Sequence, residues 1–589
     1  MKQLKILIIA LIAGIAMISC FKDKLNQPVP GLFSQTEIAN KVGVDQLLTG
    51  AYAMLDGVST NGNSGWPSAA SNWVYGSICG GEAYKGARDG DQEEIIYLET
   101  FTADATNDYL DSKWATVYEG VQRANAVLRT MRLARDMSAA DTSETSAEAR
   151  FLRAFYYFEA KKMWNRIPYV DESVTYDAGN YNIVNDTSWL PIETDLIFAM
   201  NNLPPAQGIA VGRVNKYAAE AYLAKAYVFE HKYAEAQPLL QDLILNGQTA
   251  GGKKYELQNL YNDNFNAATK NSSESVFASQ SSVNDLAAGP NGNVGDLLNF
   301  PNGGEAGCCG FFQPSQYLVN HFKTDSVTGL PDLDNFNDNP VKSDDGLLST
   351  DSFMIYLGTL DPRLDWTVGR RGIPYLDWGV NPGNDWIRDQ AFSGPYSSIK
   401  SVFYKSQEGV YTQDSYILAT AINVNLIRFA DVLLWAAETE IMLPNGDLEK
   451  ARGYVNQVRA RAMNPDGWVH TYIDDNDPSK GFTNNPAANY KIDIYKTAWT
   501  DPVYAMKALQ FERQLELGME GHRFFDLVRW GIAANSLNAY FQKEMKIRGF
   551  LSVGHFTPDK NEYFPIPQDQ IDLSAGANGI PALKQNPGY

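Results

Sequence analysis

Basic residues, histidine and cysteine are all scarce in this chain, and each shortage removes a class of function. Lys and Arg number 49 against 69 Asp and Glu, a formal net charge of −20. A field of that sign repels phosphate backbones and anionic membrane surfaces, which excludes nucleic acid as a partner. Five histidines and four cysteines at no recognisable ligand spacing do not make a zinc site, so no metal and no other cofactor is expected. No nucleophile elbow, phosphate-binding loop or HExxH motif occurs. After the first twenty residues there is no apolar run of the roughly 20 residues that a membrane-spanning helix needs.

What is present begins at the front. Lys2 and Lys5 form a positive leader, and Ile6 to Ser19 carries no charge, in the manner of a secretory apolar region. It ends in Met17-Ile18-Ser19-Cys20, a small residue followed by cysteine, which is the lipobox pattern. Residues 1–19 are therefore expected to be a signal peptide, Cys20 the lipidated residue, and 20–35 a polar, Pro-containing anchor and tether. Loss of Lys2 and Lys5 takes the net charge from −20 to −22. Cys79, Cys308 and Cys309 remain. Adjacent Cα atoms about 3.8 Å apart fall below the usual disulfide range, so a Cys308–Cys309 bridge would be strained and pairing of Cys79 with one of them is geometrically easier; both arrangements stay open.

The rest reads as two helical blocks around a loop-rich span. Trp114, Val117, Tyr118, Val121, Ala124 and Leu128 recur at helical spacing, as do Phe151, Ala154, Phe155 and Phe158. Leu223, Ala224, Tyr227, Ala236 and Leu240, broken by a polar turn at His231-Lys232, match the tetratricopeptide helix–turn–helix pattern. A second such pair is expected from Asn425 through Trp435 to the turn Asn445-Gly446-Asp447, resuming at Ala451, Val455 and Val458. Two units about 200 residues apart cannot stack as consecutive repeats, so the two ends of the chain are expected to meet as one scaffold. The span 260–415 is rich in Gly, Pro, Asn and Asp but keeps its aromatics, which argues for ordered, functional loops. The fold class is mainly α, with minor β structure and long irregular loops. The boundaries fall at 36–259 for the N-terminal helical region, 260–415 for the insert and 416–589 for the C-terminal region.

Five ordered segments carry a family resemblance: Tyr75-Gly76-Ser77-Ile78-Cys79 to Gly86; Ile427-Arg428-Phe429-Ala430-Asp431; Phe511-Glu512-Arg513 to Trp530-Gly531; Phe564-Pro565-Ile566-Pro567; and the tail to Tyr589. With the lipobox they resemble the SusD/RagB family of nutrient-binding lipoproteins. The resemblance implies an α-rich, tetratricopeptide-like body, outer-membrane placement facing outward, glycan capture, and a partner barrel, a TonB-dependent transporter of the SusC type. Surface-exposed members carry an acidic run after the lipidated cysteine; here the run is Lys22-Asp23-Lys24.

Two clusters compete for function. Glu516, Glu520, His522 and Asp526 look like hydrolase machinery, since glycoside cleavage needs paired carboxylates. Arg513, Arg523 and Arg529 are interleaved with them, however, and arginine lowers the carboxyl pKa that a general acid must have raised. The block reads as a structural ion network, and no catalytic residue is expected. The second cluster is aromatic. Trp378 and Trp386 sit in loop sequence among Arg371, Asn384 and Asp385, and Trp66 has similar surroundings; Trp73 and Tyr75 adjoin it. Aromatic faces with flanking amides and guanidiniums suit the C–H faces and hydroxyls of a sugar. The expected ligand-binding set is Trp66, Trp73, Tyr75, Arg371, Trp378, Asn384 and Trp386. Trp366 reads as a buried strand residue. A peptide ligand would use the same aromatics, and a scaffold that grips only protein is the other alternative. Asp332, Asp334, Asn337 and Asp338 could hold Ca²⁺, but without the spacing of a calcium loop they read as solvated.

Overall fold

Asn107 ends an extended stretch, and its side chain accepts the amides of Tyr109 and Leu110, which starts the helix Asp108–Met131. The stripe Trp114, Val117, Val121, Ala124 and Leu128 is buried on one side of it. Ser138 and Asp141 close a reciprocal capping box at the head of the next helix, Ala139–Trp164. The two helices approach closely because Gly120 has no side chain: a Cβ there would stand 2.7 Å from the Tyr156 ring. A computed structural model describes residues 36–58, 65–174, 183–286, 291–304, 307–576 and 578–589. The expected signal peptide, Cys20 and the whole of the tether lie outside the described residues. Among those described, no helix is long and apolar enough to cross a membrane.

The tetratricopeptide-like pair is present as Lys216–Phe229, capped by Asn215, and Tyr233–Asn246. The second pair is Phe429–Met442 and Leu448–Ala462, the latter capped by Asp447. The two pairs meet as expected: Tyr233 donates to Glu438 at 3.3 Å and Gln237 to Glu440 at 3.0 Å. One boundary needs correction. Asn425 does not open a helix. Val424–Arg428 is a strand, antiparallel to Ser275–Ser279 with Phe277 opposite Ile427, and the helix begins only at Phe429. Leu426, Ile427 and Arg428 are buried in succession, as on a strand covered on both faces, which a one-sided helical stripe would not give. Trp366 likewise sits on a single helical turn, Leu364–Thr367, not on a strand; it is half-buried and its indole donates to Gly467 O at 2.7 Å. The described strands pair only in twos, as five small antiparallel ladders.

The main apolar core runs from Val44 to Leu583. A second, smaller one lies within the insert, around Phe300, Tyr375, Leu376, Ile399, Val402 and Phe403. Between scaffold and insert lies a network of buried charge. Glu512 and Glu516, one turn apart on the helix Pro502–Leu517, receive Arg363 at 2.7 and 2.9 Å. Arg363 also pairs with Asp361 at 2.7 Å, and Arg459 reaches Glu512 at 2.8 Å. Arg428 pairs with Glu274 at 2.8 Å, with Glu520 at 2.9 Å and with Glu516, which Arg461 also meets. Lys400 from the insert bonds Glu520 at 2.7 Å. Burial alone would raise the Glu516 carboxyl, but Arg461, Arg428 and Arg363 overcome it and hold the group well below the usual carboxylate range.

Removing one partner from such a network strands the others in low dielectric, at a cost of about 3–5 kcal/mol. Glu516→Ala should therefore lose about 3–5 kcal/mol in urea unfolding; an unchanged midpoint would show that the pairs are dispensable. A second prediction concerns Glu82, which accepts from Gln514 at 2.9 Å and from the Met519 amide at 3.1 Å. Burial pushes its carboxyl up to about 7. A raised acid stabilises the fold fully below its unfolded value near 4.5, and that contribution is lost as pH rises through 7. Glu82→Gln, with the Gln514 amide turned to accept, should match the parent Tm at pH 5 and exceed it at pH 8.5. A parallel pair of pH profiles would refute this.

Candidate ligand-binding face

Three loops converge at the outer edge of the insert, and each is fixed by its backbone. The loop after the strand Ala83–Gly86 is held from beneath by Lys85, whose ammonium donates to the carbonyls of Arg88 at 2.7 Å and Asp91 at 2.6 Å. The turn 301–310 is closed by bonds from the Cys308 amide to Pro301 O and from the Gly310 amide to Phe300 O, 2.8 and 2.9 Å. Gly310 O in turn accepts the Ala87 amide, which ties the first loop to the second. The third is the turn Asn384–Trp386. Asn302 donates its amide to Trp386 O at 3.0 Å, and Arg388 pairs with Asp91 at 2.6 Å, so all three are stitched together.

The expected ligand residues separate into distinct places on this frame. Trp386 is half-buried, edge-on to Tyr375 at 5.3 Å, with Gly303 and Gly304 laid against its indole. A Cβ at Gly303 would come within 2.6 Å of the ring, and Gly304 needs φ +86, so both positions require glycine. No acceptor for the Trp386 indole N–H and no partner for the Asn384 amide occur among the described residues. An aromatic ring and a free amide thus stand two residues apart on one turn. Trp378 is also half-buried, but its indole donates to Phe403 O at 2.7 Å and its ring edges onto Phe403 at 5.3 Å. Trp66 is half-buried and packs against the main core. Near it, the Tyr109 hydroxyl donates to Gln92. Among the described residues no ring contact joins Trp66 to Trp386.

Three expected members have other work. Trp73 and Tyr75 lie on a π-helical turn, Trp73–Ile78, each only 1% exposed. Trp73 donates to Gly295 O at 3.2 Å, and Tyr75 donates between Pro67 O and Tyr109 O, both 2.8 Å away. Neither ring has surface to offer, and the expectation that they reach a ligand is corrected: they form the floor. Arg371 spends its guanidinium on the carbonyls of Leu348, Ser349 and Asp351 at 2.6–3.1 Å. Ser349 Oγ then accepts the Asp385 amide at 2.9 Å, so Arg371 positions the turn from behind.

Sequence reasoning missed a polar cavity of about 60 Å³ under the insert, lined by Asn264, Phe265, Asp296, Asn299, Phe312 and Ser401 among others. Asn264 Oδ1, Asn299 Oδ1 and Ser401 Oγ lack partners among the described residues, and the space admits a few waters. The density of asparagine in 259–302 was the available signal. The acidic run is engaged at the surface, with Asp334 on Lys507 and Asp338 on Lys543 at 2.7 Å. In the charged block, burial and then Lys225 lower His522 to about 3, while Arg513 and Arg529 outweigh burial at Asp526 and hold it low. None of these has the raised carboxyl of a general acid.

Cys308 and Cys309 are bonded to each other, and Cys79 is a free, buried thiol, so neither pairing with Cys79 forms. Cys308 packs on the insert's core and Cys309 on the main core. The soluble chain lacking residues 1–20 should show no reactive thiol when native, one on unfolding without reductant, and three after reduction. Two thiols on unfolding without reductant are impossible with a single pair, so three there, or a fast native one, would refute the pairing.

A tetratricopeptide-like helical scaffold that displays a stitched, half-exposed aromatic loop face defines a class of helical binding proteins. The SusD family model matches residues 273–589, and a model described as starch-binding, associating with the outer membrane, matches 34–228. The chain belongs to the SusD family. It is 23% identical over its full length to the full length of SusD-like protein P2 of Formosa agariphila. Among solved structures, a SusD superfamily protein of Bacteroides vulgatus is 21% identical at TM-score 0.65, covering 93% of this chain and 99% of the other. Surface glycan-binding protein A of Bacteroides thetaiotaomicron in complex with laminarihexaose is 20% identical at TM-score 0.62, covering 92% and 98%. A laminarin-binding SusD-like protein is 22% identical at TM-score 0.61, covering 93% and 100%.

Proposed function

We propose that this protein is a non-catalytic, lipid-anchored outer-membrane receptor that captures oligosaccharide at the Asn384–Trp386 turn and passes it to a TonB-dependent barrel of the SusC type. The observation that carries the reading is the half-exposed Trp386 with an unspent indole N–H beside the free Asn384 amide. The ring offers a flat apolar face to the C–H side of a pyranose, and the N–H and amide meet its hydroxyls. Trp66 and the outer edge of Trp378 extend the face. The names of relatives support the ligand class, since laminarin and laminarihexaose are what two similar proteins bind. The lipobox at Cys20 and the outer-membrane association in the matched model's description support the location.

The test is affinity electrophoresis of the soluble chain through gels containing laminarin, xylan, starch or mannan. Retardation in at least one is expected, and Trp386→Ala should weaken it about ten-fold, the worth of one aromatic contact. Trp73→Phe, in the floor, should change it little. Binding to peptides with silence across glycans would overturn the reading. Delivery is tested separately, by co-purification of the barrel with the lipidated protein and by loss of glycan uptake when this chain is absent.

A further inference from the structure

The face has a charge character that narrows its ligand, given the reading above on which this inference rests. The three loops, taken as 87–92, 301–304 with 307–310, and 375–388, contain two cations, Arg88 and Arg388. Four acids stand among them: Asp89, Asp91, Asp377 and Asp385. The segments 59–64 and 305–306, outside the described residues, contain no lysine or arginine either. Recognition of a carboxylate or sulfate needs a cation free to turn toward it, best a guanidinium fork. Arg388 pairs through Nη1 with Asp91 at 2.6 Å, which matches its charge, and the same nitrogen reaches Cys309 O at 3.4 Å. Arg371, behind the turn, is spent on three carbonyls. Arg88 is exposed, but its chain neighbours Asp89 and Asp91 offset it.

Lys85 does not change this balance, because its buried ammonium is bound to two carbonyls of the loop it supports. Asp377 accepts the backbone amides of Lys405 and Ser406, the latter at 3.0 Å; the Lys405 ammonium stands 6.0 Å from the Trp378 ring and is itself engaged. Beside these charges the face presents neutral contact groups: the Trp386 ring, the Asn384 amide and the half-buried Cys308–Cys309 disulfide, which has neither a strong donor nor an acceptor. The whole chain, at −20, adds a repulsive field for any polyanion.

We infer that the ligand is an uncharged glycan and that this face excludes uronic-acid and sulfated polysaccharides. Discrimination comes from unmatched acids and committed arginines, so it acts as a penalty on the wrong ligand. The experiment measures binding of the soluble wild-type chain to laminarin, xyloglucan, starch and mannan, and to alginate, polygalacturonate and carrageenan, each at 20 and 200 mM NaCl. The expected result is binding within the neutral set whose affinity changes less than about two-fold between the salts, and none to the anionic set at either salt, since only charge-driven binding is salt-dependent. Binding to an anionic polymer that weakens as salt rises overturns the inference and leaves glycan capture standing. Binding to no glycan at all overturns both. A charge-reversal arm, Asp377→Lys with Asp385→Lys, should admit at least one anionic polymer at 20 mM NaCl; continued exclusion by this folded variant would show that charge is not the gate.

Discussion

Under the C-terminal helices, Glu274, Asp361, Glu512, Glu516 and Glu520 meet Arg363, Lys400, Arg428, Arg459 and Arg461 almost out of reach of water. The acids and bases are equal in number, so the desolvated cluster is neutral overall. Its members come from the insert, the strand Val424–Arg428, the helix Leu448–Ala462, and the helix Pro502–Leu517 with the turn that follows it. Ion pairs of this kind are a poor source of net stability compared with apolar side chains of the same volume, but they are intolerant of misplacement. A slip of any one element would leave a bare charge in the interior. The network thus fixes where the insert sits on the scaffold, and the positions of the three surface loops follow from it.

The same network explains why a sequence with clustered acids and a histidine does not read as a hydrolase. Glu516, Glu520 and Asp526, the acids of that block, are each committed to one or more guanidiniums. The uncommitted groups lie elsewhere, in loops whose shape is set by glycines and backbone hydrogen bonds. Rigidity below and unsatisfied polar groups above are what a preformed binding surface requires.

How much of this was legible depended on the kind of signal. The stripes at Trp114–Leu128 and Leu223–Leu240 are periodic over several turns, and the helices there were readable because burial enforces that period. The strand at Val424–Arg428 was not, since five residues beside a long helical pattern are easily absorbed into it. The encounter of the two helical pairs was inferred correctly from their spacing. At the ligand face, loop context singled out Trp378 and Trp386 equally, and Trp73 with Tyr75 by adjacency. What divides them is where each polar edge is spent: Trp378 on Phe403 O, Trp73 on Gly295 O, Tyr75 on two carbonyls. Those acceptors lie up to 222 residues away, beyond any local pattern. Arg371 was legible as a polar group of the loops but not as a clamp on 348–351.

The tail of the chain is sewn into the helices of its first third. Asn586 donates to Trp164 O and Phe564 O, both at 2.8 Å, and Asn185 exchanges two hydrogen bonds with the Lys584 backbone. These closures span 399 and 422 residues. The order of synthesis then becomes a physical constraint: the helix Ala139–Trp164 leaves the ribosome hundreds of residues before the groups that satisfy its end. Loop closure over such lengths is slow, so the early helices stay incompletely packed while the remainder is made.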